Sequence, residues 1–165
     1  MPRTQIFDGL FAALIADPAL VTLLGPSNTQ NMRLYRNYPQ FQSMLTGNGR
    51  AGDRYEPQGK EGWLVIEEPA PGLRAATQQF ETIYQTIEVI FHIYATAYSL
   101  ADDVSSFLDA TFNWSVFQQR DVLYGDNFLL FARRFQTEEK YSPDVKLYHK
   151  TYQYRMEFVL AEQVA

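Results

Sequence analysis

The sequence predicts an α+β fold, a mainly antiparallel sheet of about four to five strands packed with two helices in a single domain. Three observations predict it. Apolar residues recur at helical spacing near the start and again after Ser99, and a long stretch between them alternates with a period of two. Two further alternating stretches close the chain, so strands follow strands, which favours antiparallel pairing over a parallel βαβ arrangement.

The elements follow in order. In Gln5 to Ala16 the residues Ile6, Phe7, Leu10, Phe11, Leu14 and Ile15 share a stripe, with Gln5, Asp8 and Ala12 on other faces. Asp17-Pro18 then reads as an N-cap followed by proline at the first helical position, opening a short turn, Ala19 to Leu24, that Gly25-Pro26 stops. Arg33 to Tyr38 alternates weakly before Pro39 and suits a short edge strand. The glycine-dotted, polar segment from Gln40 to Gly62 is expected to be a long flexible loop.

Trp63 to Ile66 is a continuous apolar run, as a buried strand requires. From Thr82 to Tyr94 one face carries Ile83, Ile87, Val89, Phe91 and Ile93, and the other Tyr84, Thr86, Glu88, Ile90, His92 and Tyr94. Ser99 is the expected cap of a second long helix, with Asp102 near a capping-box position and Leu100, Val104, Phe107, Leu108, Thr111 and Phe112 as its buried stripe. Strands around Phe128 to Gln136 and Leu147 to Leu160 form an expected hairpin, separated by the polar segment Thr137 to Asp144. In the last strand Tyr148, Tyr152, Tyr154, Met156, Phe158 and Leu160 share a side, opposed by His149, Thr151, Gln153, Arg155 and Glu157.

Composition narrows the function. The 165 residues are 46% apolar and 15% aromatic, enough apolar surface to offset the entropy of ordering one core. A formal charge of -5 offers no basic excess for holding a polyanion. With no cysteine there is no disulfide, thiolate metal site or cysteine nucleophile. The apolar run Gly9 to Ala16 is too short to span a bilayer, and Asp8 before it and the proline after it favour a folded helix over a signal peptide.

The search for chemistry yields little. His92 and His149 lack a metal-ligand spacing and read as surface or subunit-contact histidines on the sheet. Gly47 to Gly52 lacks a P-loop lysine and a following helix, and no Gly-x-Ser-x-Gly elbow occurs. The neighbouring acids Glu67-Glu68, Asp102-Asp103 and Glu138-Glu139 point apart on regular elements and suit solvated surface. No cofactor, metal or catalytic residue is expected, and the chain is not expected to be an enzyme.

The opening Phe7-Asp8-Gly9-Leu10-Phe11-Ala12-Ala13-Leu14-Ile15-Ala16-Asp17-Pro18-Ala19-Leu20, followed by Leu23-Leu24-Gly25, resembles that of the siphophage tail-terminator, or tail-completion, family. The likeness extends through Arg33-Leu34-Tyr35 and Trp63-Leu64-Val65-Ile66-Glu67, without the proline that leads the family's strand, to Tyr152-Gln153-Tyr154-Arg155-Met156-Glu157-Phe158. It covers most of the chain. The resemblance implies a structural virion protein at the head-tail junction, assembled in the host cytoplasm. A homohexameric ring would cap the tail tube, end its elongation and dock the neck or head-completion protein, with DNA passing through the pore without specific binding and no membrane involved.

Polar loops on a rigid sheet commonly carry contacts. The expected docking or lumen residues are therefore Arg50, Asp53 and Arg54 in the first loop, and Arg133, Arg134, Glu138, Glu139, Lys140 and Tyr141 around the second. A neck or head-closure ring protein is the nearest alternative, and a small-ligand-binding α+β domain is the alternative from another class.

Overall fold

A computed structural model of the chain describes residues 3–25, 34–35, 61–67, 84–113, 123–124, 127–143 and 146–160. In order these form α1 (Arg3–Ala16), α2 (Pro18–Leu24), β1 (Leu34–Tyr35), β2 (Gly62–Glu67), β3 (Tyr84–Ala95), α3 (Tyr98–Phe112), β4 (Leu123–Tyr124), β5 (Asn127–Ser142) and β6 (Leu147–Leu160). The strands make one sheet in the order β1-β2-β3-β6-β5-β4. Every neighbouring pair is antiparallel except β1 and β2. The α+β class is as expected. Two of the six strands are only two residues long, and α2 is the short helix expected after the Asp17-Pro18 kink, beside the two long ones.

α1 buries Ile6, Phe7, Leu10 and Leu14, while Phe11 and Ile15 flank that stripe partly covered. Asp17 caps α2 as its sequence indicates, its Oδ1 accepting from the Ala19 N–H at 2.9 Å and the Leu20 N–H at 3.3 Å. At the other end the Gly25 N–H donates to the Val21 carbonyl at 2.8 Å. A Cβ on Gly25 would stand 2.9 Å from that same oxygen, so this close approach is what requires glycine.

The cap of α3 departs from expectation. Ala97 occupies the N-cap, no side chain caps the helix, and Ser99 lies inside it, exposed. The cause is the short connection to β3. Thr96 is tied to the start of β2, its N–H donating to the Glu61 carbonyl and its Oγ1 accepting from the Glu61 N–H, both at 2.9 Å. The helix therefore opens immediately afterwards, and Leu100 and Ala101 donate back to the Ala97 carbonyl.

The core lies between the helices and one face of the sheet. β3 supplies Ile87, Val89, Phe91 and Ile93 to it, and β6 supplies Tyr152, Tyr154, Met156 and Phe158, as the alternation of both strands predicts. Phe91 stacks on Phe112 of α3 at 5.7 Å and meets Tyr154 edge-on at 5.6 Å. Helix and sheet are thus joined through an aromatic cluster, a geometry favourable beyond the area it buries. β2 is buried on both faces: Leu64 and Ile66 pack into this core, while Trp63 and Val65 are buried on the opposite side.

The largest departure concerns Thr137 to Asp144, expected as a polar loop. β5 continues through Ser142, so Thr137 to Ser142 is strand. Cross-strand pairing with β6 outweighs the polar composition, because Glu139 lies opposite Lys150 and Tyr141 opposite Tyr148. The reversal is confined to the residues between Ser142 and Leu147, where Lys146 takes a φ of 56°, in the left-handed region. Of the loop expected at 40–62, only Glu61 and Gly62 are among the described residues, and Gly62 begins β2.

Candidate functional site

The β5–β6 hairpin gathers the expected contact residues that fall on described positions. Register shifts between Leu129 and Phe131 and between Arg134 and Gln136 mark bulges in β5, and the second resets which face each later residue occupies. Beyond it Thr137, Glu139 and Tyr141 lie opposite Tyr152, Lys150 and Tyr148 on the helix-bearing face, while Glu138 and Lys140 lie opposite Thr151 and His149 on the other. Residues 135–141 are all exposed, and among the described residues only β4, at Asn127 and Phe128, pairs with the outer side of β5.

The two arginines separate. Arg133, opposite Arg155, is exposed. Arg134 turns toward α3: its guanidinium bonds to Asp109, it lies 5.1 Å from the Tyr152 ring centroid, and its backbone N–H donates to Asn113 Oδ1 at 3.0 Å. Asp109 also accepts from the Tyr154 hydroxyl at 2.6 Å. Burial, then the hydrogen bond and charge of Asp109, hold the Tyr154 phenol well above the ordinary tyrosine range, so it stays a donor. Arg134 is therefore engaged in joining hairpin to helix.

Near the hairpin tip, Lys150 sits on the core-facing side of β6, at a parity position among apolar residues. Its side chain is 3% exposed and bonds to Asp102 at 3.2 Å and Glu139 at 3.3 Å. Its ammonium stands 4.7 Å from the Tyr98 ring centroid. Burial pulls its pKa down, but the hydrogen bonds to Asp102 and Glu139 and the neighbouring Tyr152 outweigh that and hold it above the ordinary lysine value. The buried group is thus a paired cation. Tyr148 links Tyr98 and Tyr141, with ring centroids 5.7 and 4.8 Å away, and both outer tyrosines are about half exposed.

Tyr98, Glu139, Lys140, Tyr148, His149 and Lys150 line a 210 Å³ depression there. That is below the size of a typical small-molecule site, and two of its charged groups, Glu139 and Lys150, pair with each other.

The other face holds a polar row that sequence reasoning did not assemble. His92 Nε2 lies 2.6 Å from Glu67 Oε2, and His92 Nδ1 lies 3.1 Å from His149 Nε2. Thr151 Oγ1 approaches the same His149 nitrogen at 3.2 Å, and Tyr94 stacks on the His149 ring at 4.2 Å. Both histidines are buried, at 9% and 7% exposure, so the expectation of surface histidines is corrected. Adjacency in β3 and β6 brings them together from 57 residues apart, for which no sequence spacing gives a signal. Lys150 is different: a lysine at a core-facing position of β6 is visible in the alternation of the sequence.

Among the described residues no three His, Cys, Asp or Glu side chains converge as a metal site would need, and no single helix is long and apolar enough to cross a membrane. Arg50, Asp53 and Arg54 lie outside the described residues.

The same fold occurs in a virion. A chain of the structure described as "Virion of native gene transfer agent (GTA) particle" is similar to this one with a TM-score of 0.55, over 93% of this chain and 91% of that one. The two share 10% sequence identity, so the likeness is one of fold. No protein-family model matches the sequence, and no curated protein matches it.

Proposed function

We propose that this chain is a structural subunit of a phage-like virion, and that within the virion it serves as the tail terminator. The observation that carries the first part is the fold shared with a virion chain over more than nine-tenths of both proteins, a likeness of whole domains. Support for the finer part comes from the opening helix, the Asp17-Pro18 cap and the closing strand, which resemble the tail-terminator family.

In this reading the protein acts by geometry. Copies of the chain meet through a head-to-tail contact repeated about an axis, which closes a ring, a hexamer on the family's pattern. The ring occupies the growing end of the tail tube, stops further addition and offers its opposite side to the neck. The hairpin supplies contact surface, since Arg133, Glu138, Lys140 and Tyr141 are exposed on a strand whose partner β6 is anchored in the core. A net charge of -5 suits a pore that lets DNA pass without retaining it. No catalytic step is assigned.

Electron microscopy of particles made without this protein tests the assignment. Overlong or unjoined tails are the expected result. Full-length tails on heads that leak DNA would replace it with a neck role, and normal joined particles would remove both.

A further inference from the structure

The row on the face away from the helices crosses four neighbouring strands: Glu67 on β2, His92 on β3, His149 on β6 and Lys140 on β5, which lies opposite His149. A ring nitrogen facing a ring nitrogen at 3.1 Å needs one hydrogen and one lone pair in the gap. Two protonation states satisfy that. In the neutral pair His92 donates its Nε2–H to Glu67, and its Nδ1 accepts from His149. With one added proton His92 donates from both nitrogens, to Glu67 and to His149. A second added proton places two N–H groups head to head with no acceptor between them.

We propose that the His92–His149 pair is a proton-operated latch on the hairpin end of the β3–β6 ladder, closed with up to one added proton and released when both imidazoles are charged. The position gives it leverage. Tyr94 and Ala95 pair with His149 and Tyr148 at the last positions of that ladder, beside the hairpin tip. Release loosens this end while the ladder from Tyr84 to Phe91 keeps its backbone pairing with Tyr152 to Val159.

The surroundings set the direction. Glu67 on β2 favours the first proton on His92. Lys140 on β5 opposes charge on both rings, and Tyr94 on β3 covers the His149 ring. Thr151 shares the His149 nitrogen, and Glu138 lies opposite Thr151, exposed. Farther along, Arg155 and Glu88 neutralise each other at 3.2 Å.

Burial is the main reason both imidazoles lie below the ordinary histidine pKa. For His149, the charge of His92 and then Lys140 bring it down to about 4. Unfolded histidines take up protons near pH 6.5 that the folded pair refuses. The stabilisation is therefore complete above that pH and lost as the pH falls toward about 4. His149 alone accounts for roughly a hundredfold fall in the folding constant over that window.

Amide hydrogen exchange on the full chain, corrected for the intrinsic pH dependence of exchange, tests the latch. Between about pH 6.5 and about pH 4.5, protection at Tyr148 to Thr151 is expected to fall at least about tenfold more than at Tyr154 to Phe158, and His149→Gln should abolish that difference. An equal fall at both places, or an unchanged difference in His149→Gln, overturns the proposal. Should that variant not fold, ring resonances of the unsubstituted protein decide. Two coupled steps, both below the ordinary histidine value, support the latch, and independent titration of both rings near pH 6.5 overturns it.

Discussion

Asp109 of α3 accepts a hydrogen bond from Tyr154 of β6 through Oδ1 and binds Arg134 of β5 through Oδ2, so one carboxylate joins the helix to both strands of the hairpin. Tyr154 is fully buried, and a lost partner would leave its phenol where water does not reach it. Tyr154→Phe removes the donor and leaves a carboxylate that water still reaches, and is expected to cost about 1 kcal/mol. Asp109→Ala leaves the buried phenol without an acceptor and unpairs the partly exposed guanidinium, and is expected to cost about 2 kcal/mol. Urea unfolding of the two variants at neutral pH measures the difference.

Phe91 anchors the aromatic cluster against Phe112 and Tyr154 with no exposed surface. Phe91→Ala is expected to lower stability by about 3–5 kcal/mol through lost transfer energy and the cavity it leaves. Phe91→Leu should retain more than half of that. Thermal unfolding of both variants checks the order.

The two helix starts make a paired test of capping. Asp17→Ala is expected to destabilise by about 1 kcal/mol, since it removes the acceptor for two N–H groups of α2. Ser99→Ala should stay within about 0.5 kcal/mol, because Ser99 is exposed inside α3 and caps nothing. A comparable loss from Ser99→Ala in chemical denaturation would contradict the placement of the helix start.

Lys150 tests whether a buried ion group stabilises the hairpin or only fixes its geometry. Lys150→Met fills similar volume without a charge to desolvate and is expected to change stability by less than about 1 kcal/mol in either direction. Replacing both half-exposed partners, Asp102 and Glu139, by alanine leaves the ammonium with no carboxylate and is expected to cost about 2–3 kcal/mol. Equilibrium unfolding at low and high salt separates these outcomes.

Some elements were legible in the sequence and others were not, for physical reasons. β3 and β6 alternate because one face of each meets the core, and that local period fixed their faces before any partner was known. The end of β5 carries no such period. Residues 135–141 are exposed on both faces, so their composition matches a loop, and their strand character comes from β6 across the ladder. The Glu67–His92–His149 row likewise depends on register between distant strands. The Asp17 cap was readable because its chemistry lies within three residues, while the competing hold on Thr96, 35 residues from Glu61, decided the start of α3.

Glu138 and Lys140 are exposed on the hairpin face away from the helices. The double variant Glu138→Ala/Lys140→Ala is expected to unfold within about 1 kcal/mol of the unsubstituted protein. Complementation of particles lacking the protein should nevertheless yield fewer joined tails, counted by electron microscopy. Normal joining would exclude these two side chains as docking contacts.

The most direct test of the tail-terminator account is to add the purified protein to polymerising tail-tube protein and measure tube lengths and end density by electron microscopy. The account predicts shorter tubes as more protein is added, each bearing a ring at one end. Tubes of unchanged length with bare ends, at a protein concentration exceeding that of tube ends, would contradict it.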